Sequence, residues 1–346
     1  MPRTARAGTA ARTTLADVAA RAGVSVGTAS KALNGTGRLS AQTRDRVAAA
    51  AGELGFRPAR DGAGPPGRTW TVGLVTADGI GRFSIPVLLG VEDALGAGKI
   101  SVLLCDTRGD AIRERHYLRT LSERRVDGII VTGRRTDPRP PLADVGSIPI
   151  VYALAPSEDP HDVSVVSDDA GGATLAVEYL LALGRTRIAH VAGPAHHTAA
   201  GDRARRTLEL LREAGLEPAS GRAHFGDWSE AWGRRAADAV LRTAPETDAV
   251  FAGNDQIARG VVDRLRERGV RVPDDVAVVG YDNWSPMVLG ADPPLTSVDM
   301  CLEHVGRVAA EHLLLAINGD PTHGVHTVPC RLVPRDSTAH PPAEAG

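Results

Sequence analysis

One stretch limits what this chain can fold into more than any other: residues 14–56, TLADVAARAGVSVGTASKALNGTGRLSAQTRDRVAAAAGELGF. Its caps and apolar spacings predict three short helices. Thr14 starts the first, with Asp17 three residues on in a capping-box arrangement that also sets an acid in the positive first turn. Leu15, Val18, Ala19 and Ala22 then fall at i, i+3, i+4 and i+7, so one face is apolar. Gly23 suits the turn that follows, and Ser25 caps a second helix running to about Asn34. Ser40 caps a third, with Val47, Ala51 and Leu54 inside and Arg44 and Arg46 outside.

That spacing is a helix-turn-helix. In its second helix Ala29 and Leu33 share the inner side, whereas Val26, Gly27, Ser30, Lys31 and Asn34 lie together on another. Such a face fits the major groove of DNA. Lys31 can donate to a guanine edge or a phosphate, and Val26 can touch a thymine methyl. Ser25 and Thr28 are placed for phosphates, and Arg38 completes the expected DNA-contacting set. Gly27 offers no side chain to a base and costs about 1 kcal/mol against Ala in a helix, which shifts the reading onto Val26, Ser30 and Lys31.

The charge distribution agrees. The chain of 346 residues has a formal charge of −2, but residues 1–68 hold 11 Lys and Arg against 4 Asp and Glu, leaving 29 against 38 for the remainder. A basic head on an acidic body draws phosphate to the helix-turn-helix and keeps the body off DNA.

From Trp70 onward, Val- and Ile-rich runs alternate with helical segments. TVGLVT precedes 85–95, ISVLLCD precedes 111–124, and DGIIVT and IPIVYAL follow. The second set is DVSVVSD before 170–183, RIAHVAG before 203–214 and 230–241, DAVFAGND before 256–268, and VAVVGYD. Buried strands alternating with amphipathic helices predict two doubly wound lobes with parallel sheets. The break between lobes is expected near Ser157–His161, a chain return near Pro293–Val298 and a final exchange near His323–Val328. Ligands sit beyond the carboxyl ends of such strands, where Thr132, Asn254, Asp255 and Asp282 fall. The expected domains are a tail at 1–13, the helix-turn-helix at 14–58, a Gly- and Pro-rich linker at 59–69, the two-lobed domain at 70–338 and a second tail at 339–346.

The segments TLADVAARAGVS, TASKALN and LSAQTRDRVAAAAGELGFRP closely resemble the DNA-binding headpiece of the lactose-repressor/galactose-repressor (LacI/GalR) family. The resemblance continues to Thr338 through VSDDAGGATLAVEYLLALGRTRIAHVAGP, FAGNDQIARGVVDRLRERGVRVPDDVAVVGYDN and PLTSVDMCLEHVGRVAAEHLL. It implies an all-α helix-turn-helix headpiece joined to an α/β, periplasmic-binding-protein-like effector domain. Carried over to this sequence, it makes Phe83 an apolar wall, Thr132 a polar contact, Arg203 a grip on ligand oxygens and Trp228 a flat platform, with Asn254 and Asp282 bonding hydroxyls. Planar Arg, Asn and Asp groups suit polyols, and an aromatic ring covers the apolar face of a sugar. Several of these residues also have structural readings: Asn254 and Asp255 as helix caps, Arg203 as a surface arginine, Trp228 as a core aromatic. Ala153 replaces a polar residue that some sugar-responsive members use.

The family commonly places a hinge helix with a groove-wedging leucine where this chain has ARDGAGPPGR. Gly62, Gly64, Pro65, Pro66 and Gly67 do not sustain a helix, so minor-groove wedging is expected to be absent or weak.

Other chemistry is set aside. Gly23-Val24-Ser25-Val26-Gly27 matches G-x-S-x-G but follows a helix, so Ser25 is a cap and not a nucleophile. His196-His197 lacks a third ligand and reads as a solvated loop, and Asp168-Asp169 reads as a cap for the next helix. Cys105, Cys301 and Cys330 form no C-x-x-C and are expected to be reduced thiols. Neither a phosphate-binding loop nor a dinucleotide fingerprint is present, so no cofactor and no catalysis are expected. Without an apolar run near ~18 residues or a hydrophobic signal core, the expectation is a cytoplasmic protein free of membranes. These features predict a transcription regulator, a repressor by family habit, acting as a homodimer on double-stranded operator DNA under control of a small sugar effector. The alternative is a solute-binding protein of a transport system, which would have a secretion signal and no helix-turn-helix.

Overall fold

The computed structural model describes residues 14–33, 39–54, 69–96, 100–143 and 145–338. Asn34, Arg38 and linker residues 59–68 lie outside these, and with them the expectation about groove wedging. Contacts divide the chain into two compact units, residues 1–66 and 67–346.

The first unit holds α1 (Leu15–Ala22), α2 (Val26–Leu33) and α3 (Ala41–Glu53). The Thr14 hydroxyl accepts from the Asp17 N–H, and Asp17 Oδ2 accepts from the Thr14 N–H at 2.7 Å, closing the capping box. Gly23 takes the left-handed conformation (φ 64°) at the turn, which a side chain would strain. Ser25 and Ser40 cap the next two helices through the N–H groups of Thr28 and Thr43. Val18, Ala19, Ala22, Ala29, Val47, Ala50 and Ala51 form the core. Small residues let the three helices approach closely.

The second unit is two sheets. In chain order the elements are β1 (Thr71–Thr76), α4 (Ser84–Leu95), β2 (Ser101–Asp106), α5 (Ala111–Glu123), β3 (Gly128–Thr132), β4 (Ile150–Ala153), β5 (Val163–Ser167) and α6 (Asp169–Ala182). Then come β6 (Ile188–Ala192), α7 (Thr198–Glu213), β7 (His224–Phe225), α8 (Glu230–Thr243), β8 (Ala249–Ala252), α9 (Asp255–Glu267), β9 (Ala277–Tyr281) and α10 (Ser285–Val288). The last are β10 (Thr296–Asp299), α11 (Leu302–Ile317), β11 (Gly324–Val328) and β12 (Arg331–Val333). The first sheet has the order β11-β5-β4-β3-β1-β2 and the second β12-β10-β9-β8-β6-β7. Every pairing is parallel except β10 with β12.

The lobes are not divided where the sequence pattern places the break. Strand β5 pairs with β4 and β11 in the first sheet, so the chain leaves that lobe at Ser167–Asp168 and not at Ser157–His161. It returns at Met300–Cys301, because β10 still pairs with β9 in the second sheet. The last exchange falls at Pro329–Cys330, between β11 and β12. Helix α7 begins at Thr198, which puts Arg203 in its second turn and not at its head. Among the described residues, no helix is long and apolar enough to cross a membrane.

His190, in the middle of β6, is fully buried against Phe251, with Nδ1 donating to the Phe251 carbonyl at 3.0 Å and Nε2 without a partner. Burial pushes its pKa down to about 4. The fold therefore refuses a proton that the unfolded chain accepts below about 6.5, and stability present above that pH is lost as pH falls toward 4. Between pH 6.5 and 4.5 the loss is about 2 kcal/mol. Denaturant unfolding of wild type and His190→Asn across that window should show a slope difference of this size. Parallel curves would mean that the imidazole titrates normally in the fold.

Candidate functional site

The first unit presents one face of α2. Ser25, Val26, Gly27 and Lys31 are exposed, Thr28 and Ser30 half-buried, and Ala29 fully buried. Val26 is 49% exposed at the helix start, where a groove-entering helix makes its base contacts. Space at Gly27 is open, its nearest neighbour for an added Cβ being Ser25 Oγ at 4.0 Å. The Ser25 hydroxyl is occupied by capping and lies 2.9 Å from the Thr28 hydroxyl.

In the second unit, a cavity of about 130 Å³ with an open mouth lies where strands of both sheets end. It is built from carboxyl-end loops: Arg82 and Phe83 after β1, residues 134–137 after β3, Leu154 after β4, His197 after β6, Asn254 after β8, Asp282 after β9 and Met300 after β10. Phe83, Arg203, Trp228, Asn254 and Asp282 all line it. Thr132 does not. It is buried at the end of β3 with its hydroxyl unpartnered, and Thr136, four residues on, reaches the wall. Leu154 (φ 74°) and Asp282 (φ 97°) hold left-handed backbone, a strain of about 1–3 kcal/mol that non-glycine residues keep mainly at functional sites.

Trp228 lies flat over Gly193, where a Cβ would sit 2.3 Å from the ring, and its Nε1–H donates to His197 Nδ1 at 2.7 Å. The indole is thus fixed as a platform with its polar edge engaged. Arg203 is 3% exposed; Nε and Nη2 donate to Asp169 Oδ1 at 3.0 and 2.7 Å, Nη1 donates to the Gly253 carbonyl at 2.6 Å, and the guanidinium stacks 3.5 Å from the Tyr281 ring. The surface reading of Arg203 is therefore wrong. Asp168 caps α6, which begins at Asp169, so the acid pair divides its work between cap and counter-ion. Asn254 both caps α9, its Oδ1 accepting from Ile257 N–H at 2.8 Å, and lines the cavity. Asp255 is buried behind it, accepting from the Ser297 hydroxyl and the Trp284 N–H. Burial, together with the negative charge of Asp282, raises its pKa to about 8.

Residues that sequence reasoning passed over close the cleft. Arg82 of the first lobe pairs with Asp282 and donates to Gln256 Oε1 at 3.1 Å in the second, its guanidinium 4.7 Å from the Trp284 ring and 5.0 Å from Phe83. The Thr198 N–H donates to Asp137 Oδ1 at 2.8 Å, and Arg135 Nη1 lies 3.1 Å from His197 Nε2. His197 is thus part of the cavity wall and not a solvated loop residue. Burial, reinforced by Arg135 and Arg134 against the opposing pull of Asp137, lowers its pKa and keeps the ring neutral. No local motif marks these positions, because their roles exist only once two lobes meet.

Known proteins resemble the chain along most of its length. The model for bacterial regulatory proteins of the lacI family matches residues 14–59, and that for the periplasmic binding protein-like domain matches 177–338. The HTH-type transcriptional regulator CelR of Thermobifida fusca is 37% identical over 328 residues, 92% of this chain and 95% of the relative. Among solved structures, the transcriptional regulator CelR–cellobiose complex matches with a TM-score of 0.66 and 35% identity over 94% of this chain and 100% of that one. The Lac repressor dimer bound to operator and the anti-inducer ONPF matches with a TM-score of 0.71 and 27% identity, covering 95% and 99%.

Proposed function

We propose, from the premise that this chain belongs to the lacI family of bacterial regulatory proteins, that its operator affinity is set by a sugar held between its two lobes. A helix-turn-helix unit and a two-lobed unit in one chain make it a DNA-binding transcriptional regulator and not a transport solute receptor. The observation that carries the effector reading is the cavity itself. It combines a fixed indole face with planar polar groups on loops of both lobes, the mixed lining of a small-molecule site. A solute bridging those loops changes how the lobes meet, and DNA affinity shifts through linkage, typically by 5- to 150-fold. The cleft is read as a binding site without catalysis, in a cytoplasmic repressor.

The protein acts as a homodimer, since one headpiece buries too little for tight binding and a two-fold pair matches a near-palindromic operator. Ile80, Ile85, Leu89 and Leu104, all in the β1-to-β2 segment of the first lobe, are at least 43% exposed and supply apolar surface for pairing.

Two variants separate the activities. Lys31→Ala should weaken specific operator binding by roughly tenfold or more, about 1–3 kcal/mol, and leave sugar binding intact. Trp228→Ala should weaken sugar binding by roughly tenfold or more and spare operator binding without sugar. Operator gel shifts and calorimetry with a sugar panel read both. Wild-type operator affinity in Lys31→Ala would remove that lysine from the reading face, and operator affinity indifferent to every sugar would sink the effector reading.

A further inference from the structure

The polar inventory of the cavity is lopsided. Both carboxylates that line it are engaged: Asp282 by Arg82, Asp137 by Arg135 at 3.4 Å and by the Thr198 N–H at 2.8 Å. The Asn254 oxygen is taken by the N-terminus of α9. Donors, by contrast, are left over. Arg82 Nε is buried without a partner, as is the Thr136 hydroxyl, which can donate or accept. Trp228 Nε1 and Arg135 Nη1 both face His197, whose neutral ring has one acceptor nitrogen for the two of them. Arg134 lines the cavity, exposed, and has no carboxylate partner among the described residues. Counting Asp169 behind Arg203 and Asp255 behind Asp282, four arginines stand against four carboxyl groups, yet none of the four pairs with Arg134 on the loop after β3.

A neutral sugar corrects this imbalance less well, because every hydroxyl that accepts also brings an O–H that needs an acceptor of its own. A carboxylate or phosphate brings acceptors alone, and charge-assisted bonds to guanidinium are about twice as strong as neutral ones. Resting on the effector reading above, we infer that the effector is an anionic sugar derivative, its ring on Trp228 and its acid group against Arg134 and Arg135. The carboxylate and phosphate sources share this chemistry and are separated by experiment.

Calorimetry on the full-length protein at fixed ionic strength would compare cellobiose with cellobionate, glucose with glucuronate, and glucose with glucose 6-phosphate. At least one acid should bind tenfold or more tightly than its neutral parent, the pair that responds identifying carboxylate or phosphate. Arg134→Gln, at an exposed position that does not threaten folding, should bring that ratio to within threefold. Neutral members binding as well as or better than every acid would overturn the inference and leave the effector reading standing. So would a ratio untouched by both Arg134→Gln and Arg135→Gln. Binding by no probe, neutral or acidic, would overturn both readings together.

Discussion

Arg203→Met is expected to lower the unfolding free energy of the two-lobed unit by about 4 kcal/mol, the cost of leaving one partner of a buried ion pair alone. The pair is buried on both sides, with side-chain exposures of 4% for Arg203 and 10% for Asp169. With the guanidinium gone, Asp169 Oδ1 keeps only the Tyr281 hydroxyl at 3.2 Å, and the Gly253 carbonyl loses its donor. Because Gly253 precedes the cap of α9, the same change loosens Asn254 on the cavity wall, so stability and site geometry fall together. The double variant Arg203→Met/Asp169→Leu should recover most of the loss, since two apolar groups in contact leave no charge stranded. Arg203→Lys keeps the charge but not the fork and should fall between. A single-variant cost below about 1 kcal/mol in urea unfolding would show that Asp169 is solvated or repaired, against the burial described.

What the sequence made legible follows from range of interaction. Thr14, Ser25 and Ser40 announce three helices because a cap acts over three residues, and the Val/Ile runs announce strands because burial on both faces removes polar alternation. The lobe boundary is hidden because β5 lies between β4 and β11 in the first sheet, and the β11 side, 161 residues further along from Val163 to Gly324, leaves no local pattern. The start of α7 was missed because Thr198-Ala199-Ala200-Gly201 has little amphipathic signal of its own. In the site, Asp282 stood out as an acid directly after a buried strand. Arg82, Arg135 and His197 did not, since each has a partner on the opposite lobe, over 60 residues away. Thr132 illustrates the converse, a plausible residue at a strand end that the pleat turns inward.

Gly306→Ala should destabilise the two-lobed unit by about 3 kcal/mol, the upper end for overpacking, even though Ala favours a helix over Gly by about 1 kcal/mol. The sign is reversed by packing. A Cβ on Gly306 would stand 2.1 Å from the Val87 carbonyl oxygen, and one on Gly90 would stand 1.8 Å from that of Glu303. Helices α4 and α11 therefore touch backbone to backbone, and no rotamer change can relieve a clash with a carbonyl. The second lobe uses the same device, with Gly233 against Ile257 and Gly260 against Glu230 where α8 meets α9. Separating α4 from α11 also displaces Phe83 and Arg82 at the start of α4, so sugar binding should weaken in the folded fraction. Gly201→Ala in α7 is the control: nothing lies within 4 Å of its added Cβ, and it should gain up to about 1 kcal/mol from propensity alone. Thermal or urea unfolding that moved both variants in the same, stabilising direction would show that the crossing is wider than described.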